Sequence, residues 1–588
     1  MTSDRRTFGP DTPLVELLRD AGAAGILRRT APAVVGSTLL HTYHSRPAGL
    51  VLATEGSLTD RDRSEIFREL RELANAPQAA PVVRSPQGLP SRDYEPDGVA
   101  RASAPVTSPA EVARWQRFEA VLSGPEHGNP FIDVELTGRF FAPSGAAHDV
   151  LGFYDGAGRY VVRLLPGEEG EWRFELTSNA RSLDGVAGRF RVVGSDRRGP
   201  VRVADGFHFA YADGTRYLPF GTTSYVWTHQ GDALEERTLE TLADSPFNKM
   251  RMCVFPKSYT FNSNEPDSFP YLPVAGGGFD HERFDPAFWA HLERRIDQLA
   301  GLGVEADLIL FHAYDRWGFS EMDAAADDRY VRYAVARLSS FVNLWWSLAN
   351  EFDLLHAKAE ADWERWAAIV QRWDATGHPR SIHNCRVVYD QSRPWITHVS
   401  MQRTDVYKTA ELVGEWRERW GKPVVVDECA YEGDIDQGWG NISGEEMTRR
   451  VWEGTLRGGY VGHGETYLEP DEVLWWAKGG ELHGTSPARI GFLRRIVEEA
   501  PGGALEPLDT EWDVPVAGIP GEYYLYYLGA TQPAFRRFLH DPAIAWHVDV
   551  IDTWNMTVSS LPNPVSGRFV VELPSRPYQA VRLRRIGA

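Results

Sequence analysis

Strand-like and helix-like patterns alternate along about 250 residues in the middle of this chain, and this alternation is the strongest constraint on its fold. Eight short apolar segments read as strands: 216–221, 250–255, 304–311, 342–349, 380–384, 396–402, 423–427 and 460–466. Helical stripes separate most of them, and the clearest joins Phe288, Leu292, Ile296 and Leu299. Eight strands mostly separated by helices are typical of a (β/α)₈ TIM barrel. We therefore predict an α/β chain with a catalytic barrel at residues 205–502.

The pattern differs on both sides of the barrel. Residues 1–76 predict a small helical segment, with Leu14, Leu17 and Leu18 on one stripe, and residues 77–110 have the Pro-rich composition of a linker. Short strands separated by turn residues predict one β-sandwich at 111–198 and a smaller one at 508–588. The apolar stripes of the N-terminal helices are also a candidate interface for a homo-oligomer.

Charge and cysteine usage exclude several classes of partner. A formal net charge of −20 disfavours nucleic acids and anionic membranes, and a neutral substrate fits it better. The three cysteines match neither a zinc pattern nor a disulfide framework. The N-terminus lacks the apolar region of a signal peptide, and no apolar run is long enough to span a membrane. We expect a cytoplasmic protein without a metal or another cofactor.

Two acidic residues stand at the ends of predicted barrel strands. Glu351 follows the fourth strand and Glu428 follows the seventh. The carboxyl ends of barrel strands meet at one mouth, and two carboxylates in one cleft are what hydrolysis of a glycosidic bond requires. The alternative is two surface glutamates at loop starts, but both residues follow strongly apolar strands.

This arrangement resembles the clan of retaining glycoside hydrolases whose acid/base ends the fourth strand and whose nucleophile ends the seventh. The resemblance implies that Glu351 is the acid/base and Glu428 the nucleophile. It further implies that Asn350 binds the sugar 2-hydroxyl and that Arg251 keeps the nucleophile ionised.

The wider chain is similar to a bacterial family with an immunoglobulin-like N-terminal module, an apiosidase-like barrel and a C-terminal β-sandwich. The matching motifs include 128–131 (GNPF), 311–318 (FHAYDRWG), 346–351 (WSLANE), 397–402 (THVSMQ), 462–466 (GHGET) and 550–554 (VIDTW). The resemblance thus implies that the sandwich at 111–198 is immunoglobulin-like.

Other polar and aromatic residues near predicted strand ends are candidates for sugar binding. They are His312, Asp315 and Trp317 after the third strand, His398 and Gln402 around the sixth, Glu465 at the eighth, Tyr225 and Trp227 after the first, and Trp475 and Trp476 after the eighth. Hydrogen-bonding side chains together with aromatic rings at a barrel mouth suit the binding of a sugar. Each also has a structural alternative: a salt bridge for Glu465, a buried satisfied ring for the histidines, and core packing for the aromatic residues. No carboxylate–histidine cluster has the local spacing of metal ligands.

These observations predict a retaining, exo-acting glycoside hydrolase that removes a terminal pyranoside or furanoside from an oligosaccharide or glycoside. A transglycosylase on the same scaffold and a non-catalytic carbohydrate-binding protein are the alternatives.

Overall fold

The computed structural model describes residues 8–37, 46–75, 93–402, 408–503 and 505–587. Its centre is a ring of eight parallel strands: β1 (Gly221–Thr223), β2 (Lys249–Cys253), β3 (Glu305–Phe311), β4 (Leu344–Ala349), β5 (Arg380–Ser381), β6 (Val399–Gln402), β7 (Val424–Glu428) and β8 (Tyr460–Val461). Neighbours pair in chain order from β1 to β5 and from β6 to β8. The Thr397 N–H donates to the Arg380 carbonyl (2.9 Å) between β5 and β6, and a parallel bridge between Thr222 and His463 closes the ring. The predicted barrel is therefore present.

Seven helices cover the barrel: α1 (Asp232–Ala243), α2 (Pro286–Gly301), α3 (Ala324–Leu338), α4 (Glu360–Trp373), α5 (Val413–Trp420), α6 (Gly444–Leu456) and α7 (Ser486–Glu498). The stripe of Phe288, Leu292, Ile296 and Leu299 is buried on α2, as periodicity predicts. None of the described helices is both long and apolar enough to cross a bilayer.

The connection from β5 to β6 departs from the regular barrel. Residues 382–398 are all described and form no helix. The Asp353 carboxylate accepts hydrogen bonds from the backbone N–H groups of Cys385 (2.6 Å), Arg386 (2.9 Å) and Val387 (2.9 Å). These bonds hold the loop over the barrel mouth, and Pro394 further along lacks the N–H that a helix interior needs.

The first and eighth predicted barrel strands are each divided between two sheets in the structure, and the fifth and sixth are shorter than predicted. Arg216–Tyr217 is not part of the barrel, but pairs antiparallel with His208–Tyr211, which also pairs with Val201–Ala204. Pro219 cannot donate to a ladder, and the barrel strand begins only at Gly221. The eighth segment ends at Val461, and Glu465–Thr466 instead pairs with Glu432–Gly433 at the barrel mouth. A hairpin of Tyr271–Pro273 and Phe279–Phe284 follows β2.

An eight-stranded antiparallel-rich sheet precedes the barrel. In order of pairing its strands are Val106–Thr107, Phe118–Ser123, Arg159–Leu164, Ala147–Tyr154, Leu136–Phe141, Gly170–Ser178, Ala187–Val193 and Glu111–Ala113. Alternating side chains enter a separate core in which Phe118 stacks on Phe190 with ring centroids 3.7 Å apart. The segment before Leu136 is a helical turn, Pro130–Asp133, because Pro130 occupies its first position and the Asp133 carboxylate accepts the Asn129 N–H (2.7 Å).

The C-terminal part is again all-β. A six-stranded sheet has the order Glu506–Pro507, Val516–Ile519, Tyr523–Tyr527, Gln579–Arg585, Trp546–Asp552 and Thr557–Ser560, and Phe535–Leu539 pairs with Arg568–Glu572. Tyr527 stacks on Trp452 of α6 (5.2 Å), which joins this sheet to the barrel.

The N-terminal part is helical, with elements Leu14–Arg19, Ala21–Thr30, Pro32–Val35, Ala48–Thr54 and Asp60–Asn75. Leu14, Leu17 and Leu18 lie in its own core, separate from that of the barrel. An ion pair from Arg28 to Glu321 (2.6 Å) links it to the loop after β3. Residues 77–92 of the predicted Pro-rich linker lie outside the described residues.

The first sheet is joined to the barrel by a buried charge network. Arg163 of the sheet contacts Glu293 of α2 (2.7 Å), which also contacts Arg337 of α3 (2.6 Å). Arg337 returns to Asp155 of the sheet (2.6 Å). The guanidinium groups of Arg163 and Arg337 lie over the Phe153 ring. Because the network draws partners from both parts, the sheet and the barrel pack as one body.

Candidate active site

Glu351 and Glu428 line the same cavity, of about 460 Å³, at the carboxyl ends of the barrel strands. Glu351 comes two residues after the end of β4, and Glu428 is the last residue of β7. Glu351 has a left-handed backbone (φ 52°) that starts a short 3₁₀ turn. A non-glycine residue in this region is strained, and such strain concentrates at functional sites.

The environment of Glu351 favours its protonated form. The residue is 5% exposed, and burial together with the negative charge of Glu428 raises the pKa of its carboxyl. The Tyr314 hydroxyl and the Asn350 amide (3.2 Å) donate to Oε2 of Glu351, and the Tyr314 bond opposes part of this rise. A carboxyl with a raised pKa is able to donate a proton near neutral pH.

Glu428 is held in the opposite state. Burial alone would raise its pKa, but hydrogen bonding and charge from His383, the Tyr225 hydroxyl and the charge of Arg251 lower the pKa to about 2. Nε2 of His383 lies 3.3 Å from Oε1 of Glu428, and the Tyr225 hydroxyl donates to the same oxygen. Glu428 is therefore an ionised carboxylate across the whole neutral range.

His383 is oriented from behind by residues of β6 and β7. The Ser400 hydroxyl donates to Oδ2 of Asp427 (2.5 Å), so its oxygen accepts the hydrogen bond from Nδ1 of His383 (3.0 Å). Nε2 faces Oε1 of Glu428 and Oε1 of Gln402 (3.2 Å), both acceptors. Both ring nitrogens of His383 thus have polar partners, and these contacts fix the ring with Nε2 directed at the Glu428 carboxylate.

Asn350 connects the two carboxyl groups. Its Oδ1 accepts from Nη2 of Arg251 (3.0 Å), and its Nδ2 donates to Glu351 (3.2 Å). Arg251 is buried on β2 below the cavity and acts on Glu428 through its charge. The amide is therefore fixed in one orientation between the two catalytic candidates.

Lys257 brings an ammonium group into the cavity. Its Nζ lies over the rings of Tyr225 (3.7 Å), Tyr314 (4.1 Å) and Trp476 (4.8 Å). The residue is buried, which lowers its pKa, and cation–π contacts with three rings offset part of the lost hydration. Trp439 packs beside Trp476 (5.0 Å) and extends this aromatic wall.

A second cavity, of about 430 Å³, adjoins the first. Tyr259 and Tyr314 line both cavities. The outer wall of the second comes from the N-terminal helical part, including Leu18, Arg28 and Val35. The barrel mouth thus continues beyond the catalytic candidates toward this helical part.

Several residues predicted from the sequence lie at the cavity. Tyr225, Gln402 and Trp476 line it together with Glu351 and Glu428. Asn350 and Arg251 are buried directly behind it and are connected to it by hydrogen bonds.

Other predicted residues are placed elsewhere. His312 is buried with Nε2 facing the Phe255 carbonyl (3.2 Å), and His398 packs against Trp345 in the barrel interior. Trp227 is fully buried with its N–H facing Sδ of Met252 (3.4 Å), and Trp475 is buried with its N–H donating to Thr222 (2.8 Å). These four side chains fill the core because their strands and turns direct them away from the mouth.

Asp315, Trp317 and Glu465 also lie off the cavity that holds the two catalytic candidates. The Asp315 carboxylate accepts the N–H groups of Trp317 (2.8 Å) and Ser320 (2.7 Å), which shapes the loop at the edge of the second cavity. The Trp317 indole donates to Glu265 (2.9 Å) at the surface. Glu465 is buried and accepts the Gly484 N–H (2.9 Å).

His383, Tyr314, Lys257 and Tyr431 were not predicted from the sequence, although all of them contact the catalytic candidates or line the cavity. Tyr314 lies two residues beyond His312 in the loop after the third strand, and His383 is the penultimate residue of the fifth predicted strand. Nearness to a strand end could therefore have identified both. Lys257 and Tyr431 lie four and three residues after β2 and β7, where no local pattern distinguishes them.

Two groups of side chains in the described residues have the composition of a metal site: Asp232 with Glu235 and His291, and Glu432 with His463 and Glu465. In the first, Arg295 already contacts Asp232 (2.7 Å) and Glu235 (2.6 Å). The second lies behind the barrel mouth, and within the described part of the chain no lysine or arginine forms an ion pair with it. Neither group lines the cavity of Glu351 and Glu428.

Comparisons with known proteins agree with this geometry. The family model described as the apiosidase-like catalytic domain matches residues 204–489, and two models of domains of unknown function, DUF5060 and DUF5605, match residues 111–179 and 512–584. No curated protein matches the chain.

Similar solved structures are also described as glycoside hydrolases. A putative glycoside hydrolase from Bacteroides vulgatus ATCC 8482 is 38% identical, with a TM-score of 0.77, and the match covers 81% of this chain and 100% of the other. A glycoside hydrolase family 5 protein from the same organism shares the fold at 14% identity, with a TM-score of 0.52, over 66% of this chain and 94% of the other. From the catalytic-domain match and the 38% identity over a complete relative, we conclude that this chain belongs to the glycoside hydrolases with an apiosidase-like catalytic domain.

Proposed function

We propose that the protein is a retaining glycoside hydrolase in which Glu428 is the nucleophile and Glu351 the acid/base. One observation carries the proposal: two carboxyl groups in one cavity have pKa values displaced in opposite directions. The pKa of Glu351 is raised, whereas that of Glu428 is lowered to about 2. Titratable pairs whose environments separate their pKa values mark the acid and base roles.

The first half of the reaction would use both groups at once. The Glu428 carboxylate attacks the anomeric carbon while Glu351 gives its proton to the departing glycosidic oxygen, so a glycosyl ester forms and the aglycone leaves. His383 and Tyr225 hold Oε1 of Glu428, which leaves its other oxygen for the attack. Loss of the Glu428 charge also removes one cause of the raised pKa of Glu351.

In the second half, Glu351 would act as a base. It takes a proton from water, the oxygen of which attacks the anomeric carbon, and Glu428 is released as carboxylate. The Asn350 amide, fixed by Arg251 and donating to Glu351 from behind the cavity, would hydrogen-bond the sugar 2-hydroxyl when substrate reaches it. The result is a product of the same anomeric configuration as the substrate.

Sugar recognition is assigned to Lys257, Trp439 and Trp476. The Lys257 ammonium offers N–H donors to sugar oxygens, and the two indole rings offer apolar faces. A cavity of about 460 Å³ suits one terminal sugar rather than a polymer chain, which favours exo action. The adjoining cavity gives room for the rest of a glycoside or for an acceptor sugar.

The direct test is a panel of nitrophenyl glycosides, both pyranosides and furanosides, that includes apiosides because the matching family model is described as apiosidase-like. For any substrate cleaved, proton NMR of the first product identifies its anomer. A retained configuration supports the proposal, and an inverted one refutes it. Product analysis at high acceptor concentration detects transglycosylation, and calorimetry that shows sugar binding without turnover would instead support a binding protein.

Variants assign the two roles. We expect Glu428→Gln to abolish turnover, and Glu351→Gln to lower kcat by about 10²–10⁴-fold, least for substrates with good leaving groups. Glu265→Gln is the matched control, because Glu265 is an exposed glutamate near the mouth that pairs with Arg316. Near wild-type activity of either active-site variant would contradict the assignment, provided that the variant folds.

A further inference from the structure

Glu432, His463 and Glu465 form a compact buried group behind the barrel mouth. One nitrogen or oxygen atom from each lies within 4.8 Å of the others, and all three residues are at most 1% exposed. The backbone fixes this grouping, because Glu432 and Glu465 are register partners in a short parallel pair. His463 stands two residues before Glu465, at the bridge that closes the barrel.

The two carboxylates have no counter-ion in the described part of the chain. No lysine or arginine there forms an ion pair with either, and both carboxylates are instead held by backbone N–H groups. Glu432 accepts from Thr485 (2.7 Å) and Ser486 (3.0 Å), and Glu465 accepts from Gly484 (2.9 Å). Burial of two carboxylates without a cation is costly.

His463 supplies the observation that points to a ligand. Its Nε2 is buried, has no hydrogen-bond partner, and lies 3.9 Å from Oε2 of Glu465. The other nitrogen, Nδ1, is 2.9 Å from Oγ1 of Thr222, and the ring stacks on Phe247 (4.6 Å). The contact between Nδ1 and Thr222 allows the tautomer with the proton on Nδ1, in which the lone pair of Nε2 faces the carboxylates as it does in a metal-binding histidine.

We propose that Nε2 of His463 and one carboxylate oxygen each of Glu432 and Glu465 bind a single divalent cation of the zinc or manganese class. Imidazole favours such ions over Ca²⁺ or Mg²⁺, and bonds of about 2.0–2.2 Å to three ligands require ligand atoms separated by about 3–4 Å. The backbone N–H groups of residues 484–486 and Thr222 then orient the three ligands from outside, as outer partners do in metal sites.

The cation has a structural role in this proposal. It joins the segment after β7 to the end of β8 and to residues 484–486. Tyr431, next to Glu432, lines the catalytic cavity, so the cation stabilises one wall of that cavity. Gly484 permits the close approach, since a Cβ there would lie 2.4 Å from Oε2 of Glu465 and 2.7 Å from Oε2 of Glu432.

The test is the metal content of the intact protein, purified without a histidine tag and measured by mass spectrometry of the elements. We expect about one zinc or manganese ion per chain, either as purified or after growth in metal-supplemented medium. We also expect a lower melting temperature after prolonged dialysis against a chelator, and recovery when Zn²⁺ or Mn²⁺ is added. Less than a tenth of an equivalent in folded protein, under all of these conditions, would overturn the proposal and favour a proton shared by the carboxyl groups.

Variants locate the ion. Glu465→Gln keeps the side-chain shape, His463→Gln replaces the imidazole by a polar amide, and both should lose the metal. His291→Gln should retain it, because the group of Asp232, Glu235 and His291 already contains Arg295. A folded Glu465→Gln or His463→Gln protein with a full equivalent of metal would refute the assignment, and circular dichroism establishes that each variant is folded.

Discussion

Two tyrosines that each donate to one catalytic carboxyl allow the proposed roles to be separated by the same chemical change. The Tyr225 hydroxyl donates to Glu428, and the Tyr314 hydroxyl donates to Glu351. Both bonds favour the ionised carboxylate, so Tyr→Phe at either position should raise the pKa of the carboxyl that loses its donor. The proposed nucleophile must be ionised and the proposed acid protonated, and the two variants therefore act on opposite limbs of the pH profile.

The size of the effect follows from the hydrogen bond. A hydrogen bond to a charged group contributes about 1.5–3 kcal/mol, which corresponds to about 1–2 pKa units. In Tyr225→Phe the acid limb of kcat/KM, set by a Glu428 pKa of about 2, should rise by that amount, so that activity falls between about pH 5 and 3 where the wild type is still active. In Tyr314→Phe the acid limb should stay in place and the alkaline limb, set by Glu351, should move to higher pH.

The assay is kcat/KM from pH 3 to 10 with one substrate from the panel, because this ratio reports the free enzyme. Each sample is also returned to pH 7 after exposure, so that loss by unfolding is separated from titration. If both variants shifted the same limb, or if the Tyr225→Phe profile superimposed on the wild-type profile down to pH 3, the assignment of Glu428 as the ionised nucleophile would be wrong.

Three further changes test packing and binding. Burial raises the pKa of Glu305 to about 8, so the folded protein retains a proton that the unfolded chain loses above about pH 4.5. Glu305→Gln should therefore stabilise the protein by about 2–4 kcal/mol at pH 7.5 and hardly at all at pH 4.5. An equal shift of the calorimetric midpoint at both pH values would show that the buried proton is not the cause. Glu293→Gln removes the carboxylate shared by two buried arginines, which retain Glu119 and Asp155, and should cost about 1.5–3 kcal/mol in urea denaturation, whereas Glu65→Gln at an exposed pair should leave the midpoint almost unchanged. Trp476→Ala should lower kcat/KM about tenfold or more through loss of a stacking face, and an unchanged value would remove Trp476 from the binding site.

The sequence predicted the barrel and its two acidic residues because both depend on local signals. An apolar strand such as β4 or β7 is buried on both faces, so the first polar residues after it lie at the mouth, and Glu351 and Glu428 are found there. Helical periodicity likewise placed the buried face of α2.

The rest of the site depends on contacts between distant loops. His312 and Tyr314 belong to one loop, and only the folded backbone decides that the tyrosine reaches Glu351 while the histidine turns to the Phe255 carbonyl. Lys257 is identified by the three rings around its ammonium, which come from residues far apart in the sequence. The missing helix after β5 depends on the Asp353 carboxylate, which no periodicity reveals.

The docking of the N-terminal helices against the barrel mouth bears on the order in which the chain assembles. These helices leave the ribosome before the barrel does and possess a core of their own, so they are able to collapse early. The surface that they cover, around Tyr314, Glu321 and Leu354, is synthesised about three hundred residues later, which at typical elongation rates is a delay on the order of tens of seconds. The helical part is therefore folded before the barrel closes. Its contacts with the barrel, which form the outer wall of the second cavity, are among the last to form.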